Sequence, residues 1–304
     1  MKFTVALTPY KRFSGPEDIL NTAALADRLG FYAVNFGDHI ALPSRLEGAF
    51  DHIYYDQCVM GMAITAKNPK IRVNFSVLVV PYRQPVPTAK AIASLDVLSG
   101  GRVIVGVGVG MLTDEFESVG APFNRRGAMT DEYLRAMKVL WTQAPASFEG
   151  QFVRFKDVHS EPQPVQKPHP PIWIAVTNVP RTVERAAELG DGAAVLNRPH
   201  DALKRDVDTI RNKLVQRGRD PSNFAIQFSV YLGEEYEGHR AHFAVSGARM
   251  YDVLSFDPDK AIRQIEEYAA MGLTHLSLRL NAHGYEEHER LLTPFAEQVL
   301  SKVG

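Results

Sequence analysis

Short, mostly apolar runs rich in β-branched residues recur along the chain at Phe3–Thr8, Tyr32–Phe36, Ile71–Val80, Arg102–Gly110, Ile172–Val176, Ala193–Leu196, Ala225–Leu232 and His275–Leu280. Runs that stay apolar at nearly every position suit strands covered on both faces, as in a parallel sheet. Between them the apolar residues spread to helical spacing over 17–29, 54–66, 88–98, 113–120, 132–141, 182–189, 202–216, 260–271 and 287–300. The inward faces are readable: Ile19, Ala23, Ala26 and Leu29 with Gly30 as a stop, then Ile92, Leu95 and Leu98, then Tyr133, Met137, Leu140 and Trp141. Eight strands alternating with helices predict parallel strands joined by crossovers. The expected fold is therefore an α/β (β/α)8 TIM barrel, forming one domain over residues 1–304, with a doubly wound open sheet as the alternative.

Two stretches break the rhythm. Ala144–Pro171 is rich in proline and aromatics and reads as an insertion with a hairpin near Phe148–Phe155. Gly233–Asp257 has room for an extra helix. A barrel places its chemistry at the carboxyl ends of its strands. That directs attention to Asp38-His39, to Ser76–Val80, to Gly108–Met111 and to Thr177-Asn178.

The run RVIVGVGVG at Arg102–Gly110 sets three glycines at period two on the end of a strand. Glycine weakens a strand, so the pattern predicts something pressed against a bare backbone, a flat ring or a phosphate. The bland reading is a helix packed closely on the strand. The spacing also departs from the dinucleotide fingerprint, whose third glycine comes one residue later and on the first strand. His39 is the proton carrier with the best position, since imidazole exchanges a proton near neutrality. Asp38 would orient it or touch a ligand; the bland alternative is a capped turn. Thr177-Asn178 precede Pro180 and a helix whose first amides suit an anion, unless Asn178 or Thr182 merely caps that helix. Arg125-Arg126 is either a phosphate clamp or an exposed pair at a helix start.

Composition narrows the partners. With 34 basic and 35 acidic residues, a net charge of −1 and 45% hydrophobic residues in 304, nothing favours nucleic acid or a membrane surface. The one cysteine, Cys58, excludes an internal disulfide, and no apolar stretch approaches the length of a membrane span. No metal-ligand spacing of His, Cys or Glu is present. The chain enters a strand at once, without the pattern of a signal peptide, so the expected location is the cytoplasm.

Several segments together resemble the bacterial luciferase-like monooxygenase superfamily. They are Asp38-His39-Ile40, the run from Ser76 to Arg83 (SVLVVPYR), the run from Leu95 to Arg102 (LDVLSGGR), Gly106–Gly110, Glu115-Phe116-Glu117 to Gly120, Pro122-Phe123 with Arg125-Arg126-Gly127, Pro170–Ile174 and Gly190-Asp191-Gly192. Within that superfamily the pattern is most similar to the branch that uses the deazaflavin coenzyme F420. The resemblance implies a TIM barrel with an insertion, a homodimer, and F420 or FMN at the strand ends. It implies a non-proline cis peptide at Ser76–Val77 behind the ring. It also implies Asp38 near the ring, His39 facing a small-molecule substrate, Val109, Gly110 and Met111 along the cofactor beside Gly108, and Val176, Thr177, Asn178 and Val179 at its phosphate. Two positions depart from the pattern. Met111 stands where sugar-phosphate dehydrogenases of the branch have a glutamate, and Thr177-Asn178 stand where many relatives have paired glycines. The expected activity is hydride transfer between F420 and a small organic substrate, with His39 as acid/base. The alternatives are an FMN-dependent monooxygenase and a catalytically silent binding barrel.

Overall fold

In the computed structural model, residues 1–46, 50–195, 199–233 and 252–303 are described. The strands in chain order are β1 (Lys2–Ala6), β2 (Ala33–Phe36), β3 (Arg72–Phe75), β4 (Leu78–Val79), β5 (Val103–Gly108), β6 (Ala146–Glu149), β7 (Arg154–Val158), β8 (Ile172–Val176), β9 (Gly192–Val195), β10 (Ala225–Leu232), β11 (Asp252–Leu254) and β12 (His275–Leu280). The longer helices are α1 (Pro16–Arg28), α2 (Gln57–Lys67), α3 (Pro85–Ser99), α4 (Thr113–Ser118), α5 (Arg126–Thr142), α6 (Pro180–Leu189), α7 (His200–Gln216), α8 (Pro258–Ala270) and α9 (Gly284–Phe295).

Eight of the strands close a parallel ring in the order β1, β2, β3, β5, β8, β9, β10, β12 and back to β1. Closure rules out the open doubly wound sheet. Val103, Val105 and Val107 of β5 are fully buried, as are Phe3 and Val5 of β1 and Ile226, Phe228 and Val230 of β10. Each such side chain contributes about 1.5–3 kcal/mol through burial, which is why these runs are apolar without alternation. The bore itself is partly polar. Asn74 Nδ2 donates to Gln227 Oε1 at 3.1 Å, and Asn35 Nδ2 to Ser277 Oγ at 2.8 Å. Neither pair joins ladder neighbours, so both bonds cross the interior.

The insertion is a two-stranded antiparallel hairpin, β6–β7. Its turn is held by Glu132, which accepts the amides of Gln151, Phe152 and Val153. Of the segment 233–257, Asp252–Leu254 form β11 beside the end of β10; residues 234–251, where a helix was expected, lie outside the described residues. Leu196 does too. Among the described residues no helix is long and apolar enough to cross a membrane.

Three expectations need correction. The run Ile71–Val80 is not one strand: it breaks after Phe75 and resumes as β4, and the Ser76–Val77 peptide between them is cis. Helix α3 begins at Pro85, earlier than expected, because prolines are tolerated in a first helical turn. Along it Ile92 and Leu95 are buried but Leu98 is 72% exposed. The buried stripe continues through Asp96 and Ser99, as the 3.6-residue period requires.

The glycines of β5 are also explained differently. A Cβ on Gly106 would overlap the Phe75 carbonyl oxygen, one on Gly108 would come within 2.6 Å of Val77 Cγ2, and one on Gly110 within 2.7 Å of Val79 Cγ1. The neighbouring chain from Phe75 to Val79 bulges towards β5 and fills the space that the glycines clear. The close partner of the bare backbone is therefore this bulge, joined at Gly110 by Phe116 of helix α4, and not, at Gly106 and Gly110, a ligand.

Candidate active site

The mouth of the barrel carries two groups of residues on either side of the bulge. On one side, Asp38 and His39 follow β2. Asp38 is buried, and its carboxylate accepts the Val79 amide at 2.9 Å and a bidentate pair from Arg83, at 2.6 and 2.8 Å. It holds the bulge in place. The expectation that Asp38 orients His39 is not met: its oxygens face Val79 and Arg83.

The group that orients His39 is Glu115, in the first turn of α4. The His39 Nδ1 lies 2.7 Å from Glu115 Oε2, and Glu115 is fully buried. The same oxygen accepts the Tyr82 hydroxyl at 3.0 Å, and the other, Oε1, accepts the Ile40 amide at 2.8 Å. Burial alone would push this carboxyl up, but the bonds from His39, Ile40 and Tyr82 outweigh it and hold the group below the usual carboxylate range. An ionised carboxylate only accepts, so Nδ1 carries the hydrogen of this bond and Nε2 is the ring nitrogen outside the pair. The imidazole stands edge-on to Tyr54 and Phe50, with ring centroids 4.6 and 5.3 Å away. These rings fix its plane and keep water from much of its surface.

On the other side of the bulge a cavity of about 320 Å³ opens between the ends of β5 and β8. Val107, Ile174 and Ala175 give it apolar walls; Gly108, Val109, Thr177 and Val179 line it, and the first turns of α5 and α6 bring Arg126 and Arg181, with Arg185 in the second turn of α6. Arg181 and Arg185 share Asp131, at 2.7 and 2.5 Å. Arg126 lies over the Phe123 ring, 3.8 Å from its centroid, and its buried Nε has no partner among the described residues. A buried donor without an acceptor is costly, and an anion in the cavity would supply one. Arg125 instead faces outward to Gln151.

The turn after β8 is closed on itself. The Thr177 amide donates to Thr182 Oγ1 at 3.0 Å and the Val179 amide to Thr177 Oγ1 at 3.2 Å. Neither Asn178 nor Thr182 caps α6 with its side chain; Val179 is the N-cap and Pro180 opens the helix. With those two amides occupied, the arginines are the charged donors at this cavity that could hold an anion. Of the remaining expected residues, Ser76 and Val77 form the bulge, Gly110 packs against Val79 and Phe116, and Met111 is 58% exposed at the rim. Val176 is buried in the barrel wall and does not line the cavity.

The Luciferase-like monooxygenase family model matches residues 2–301. The chain belongs to that family. It is an enzyme of the oxidoreductase class. The F420-dependent glucose-6-phosphate dehydrogenase of Amycolatopsis mediterranei is 29% identical over 326 aligned positions, covering 95% of both chains. The FMNH(2)-dependent dimethylsulfone monooxygenase of Pseudomonas putida is 31% identical over 167, covering 54% of this chain and 46% of its own. The crystal structure of monooxygenase RslO1 from Streptomyces bottropensis superposes over the whole of both chains with a TM-score of 0.84 at 25% identity.

Against this family background, Glu115 and Tyr82 are what residue-by-residue reading missed. Both lie inside segments that carry the resemblance, yet nothing local shows that Glu115 turns inward. The usable signal is its place beside Phe116, which anchors the buried face of α4.

Proposed function

We propose that this luciferase-like enzyme transfers a hydride between coenzyme F420 and a small organic substrate. The observation that carries the reading is the His39–Glu115 pair at the same barrel mouth as an arginine-rimmed cavity, with the Ser76–Val77 bulge on the strand between β2 and β5. The donor set fits a phosphorylated tricyclic cofactor: apolar walls for a ring system, and Arg126 with an unmatched Nε for an anion. Gly108, Val109, Ser76 and Val77 would border the ring, and Arg126 and Arg181 would hold the phosphate. When bound, F420 supplies or accepts a hydride at carbon and reacts little with oxygen. His39 gives or takes the accompanying proton at Nε2, while Glu115 holds Nδ1–H and stabilises the charged imidazole. Asp38 and Arg83 keep the bulge rigid. Met111 offers no acid at the rim, which sets this enzyme apart from the sugar-phosphate pattern and leaves His39 as the main proton carrier among the described residues.

A flavin-dependent monooxygenase is the second reading, supported by the full-length likeness to the monooxygenase RslO1 and the partial likeness to the FMNH(2)-dependent dimethylsulfone monooxygenase. A titration of ligand-free protein with F420 and with FMN, followed by cofactor fluorescence, separates the two. The F420 reading expects micromolar or tighter binding of F420, with FMN weaker by tenfold or more. The opposite preference would replace it with the flavin reading.

A further inference from the structure

The Tyr82-Arg83 dipeptide after β4 is matched against the Asp38-His39 dipeptide after β2. Arg83 meets Asp38 directly, and Tyr82 meets His39 through Glu115. We propose that Tyr82 is a positioning residue of the acid/base: its hydroxyl shares Glu115 Oε2 with His39 Nδ1 and so sets how strongly that oxygen holds the imidazole. The inference rests on His39 being the proton carrier and goes beyond it by assigning a tuning role one residue further away.

The geometry supports this in three ways. Tyr82 is 7% exposed, so its hydroxyl has little water to turn to. Burial and the neighbouring Glu115 push its phenol up, which keeps it a donor throughout the working range. Its ring is fixed edge-on to Phe116 at 4.9 Å between centroids, within a small cluster of Val79, Tyr82 and Phe116 set apart from the main core. Two donors on one carboxylate oxygen compete for its charge, so a stronger bond from Tyr82 weakens the one to His39. Oε1 is taken by the Ile40 amide and offers His39 no substitute.

Proton NMR of the ligand-free protein tests this directly, because the His39 Nδ1–H resonance reports the strength of its bond to Oε2. The resonance is assigned by its loss in His39→Asn. Tyr82→Phe keeps the ring and removes the donor, and should move the resonance downfield. Incorporation of 3-fluorotyrosine at position 82, a stronger donor that retains the fold, should move the resonance upfield. A resonance that stays in place in both proteins would overturn the proposal and leave Tyr82 a packing residue. Because this readout needs no cofactor, it stands apart from whether F420 or FMN is the coenzyme.

Discussion

Two histidines sit at opposite ends of the same barrel and differ in every respect that matters for chemistry. His39 follows β2 at the mouth, and a buried carboxylate takes its Nδ1. His275 opens β12 at the floor. There Thr274 Oγ1 lies 2.7 Å from its Nδ1, Trp173 and Tyr32 pack on its ring, and its buried Nε2 has no partner among the described residues. Burial, together with the positive charges of Lys2 and the chain's amino terminus, pushes its imidazole down to about 3, so it is neutral near neutral pH. The sequence offers the same side chain at two strand ends. What separates the proposed proton carrier from a plug is its surroundings: a carboxylate partner at the mouth, and deep burial reinforced by positive charge at the floor.

That contrast can be broken from either side. The larger effect is expected at Glu115. Glu115→Gln keeps the shape but removes the charge that fixes the tautomer of His39, and should lower turnover about 10- to 100-fold. Stability should fall as well, by about 1–3 kcal/mol, because several donors lose an ionised acceptor. The pH dependence has a definite sign. The folded carboxyl is held below its unfolded value near 4.3, so its contribution is present above that pH and lost as pH falls through the lower, folded value. Native stability, followed by circular dichroism, should therefore decline as pH falls below about 4.3, and Glu115→Gln should be less stable at neutral pH and lack that part of the decline.

The smaller effect is at the floor. Between about 3 and the unfolded value near 6.5, the unfolded chain binds a proton on His275 that the folded chain refuses, so stability falls as pH drops through that window. His275→Phe should flatten the slope of melting temperature against pH between 4 and 7 and leave turnover unchanged. A loss of turnover in this variant would erase the distinction between the two ends.

Much of the fold is readable in the chain because it is local. The bounds of β8, β10 and β12 follow directly from their apolar runs, and eight strands favour a barrel, with closure itself seen only in the structure. The site is less readable because it is not local. Glu115 lies 76 residues from His39 and Arg83 lies 45 from Asp38, so no spacing rule connects them. The β5 glycines illustrate the middle ground. Their period does announce a close neighbour, yet whether that neighbour is a ligand, a helix or the Phe75–Val79 bulge depends on how far the adjacent strand bends. The arginine rim is hidden for a related reason: Arg126 and Arg181 meet only because two helix starts converge on one cavity.

The central claim divides labour at the mouth, with the cofactor held on the β5–β8 side and the proton handled by His39 on the β2 side. The most direct test measures two constants on one preparation of His39→Ala: the F420 dissociation constant, and the turnover of reduced F420 with a substrate that oxidises it in the native enzyme. The account predicts a dissociation constant within about threefold of native and turnover lower by about 100-fold or more. A parallel loss in both would contradict it and make His39 part of the binding surface.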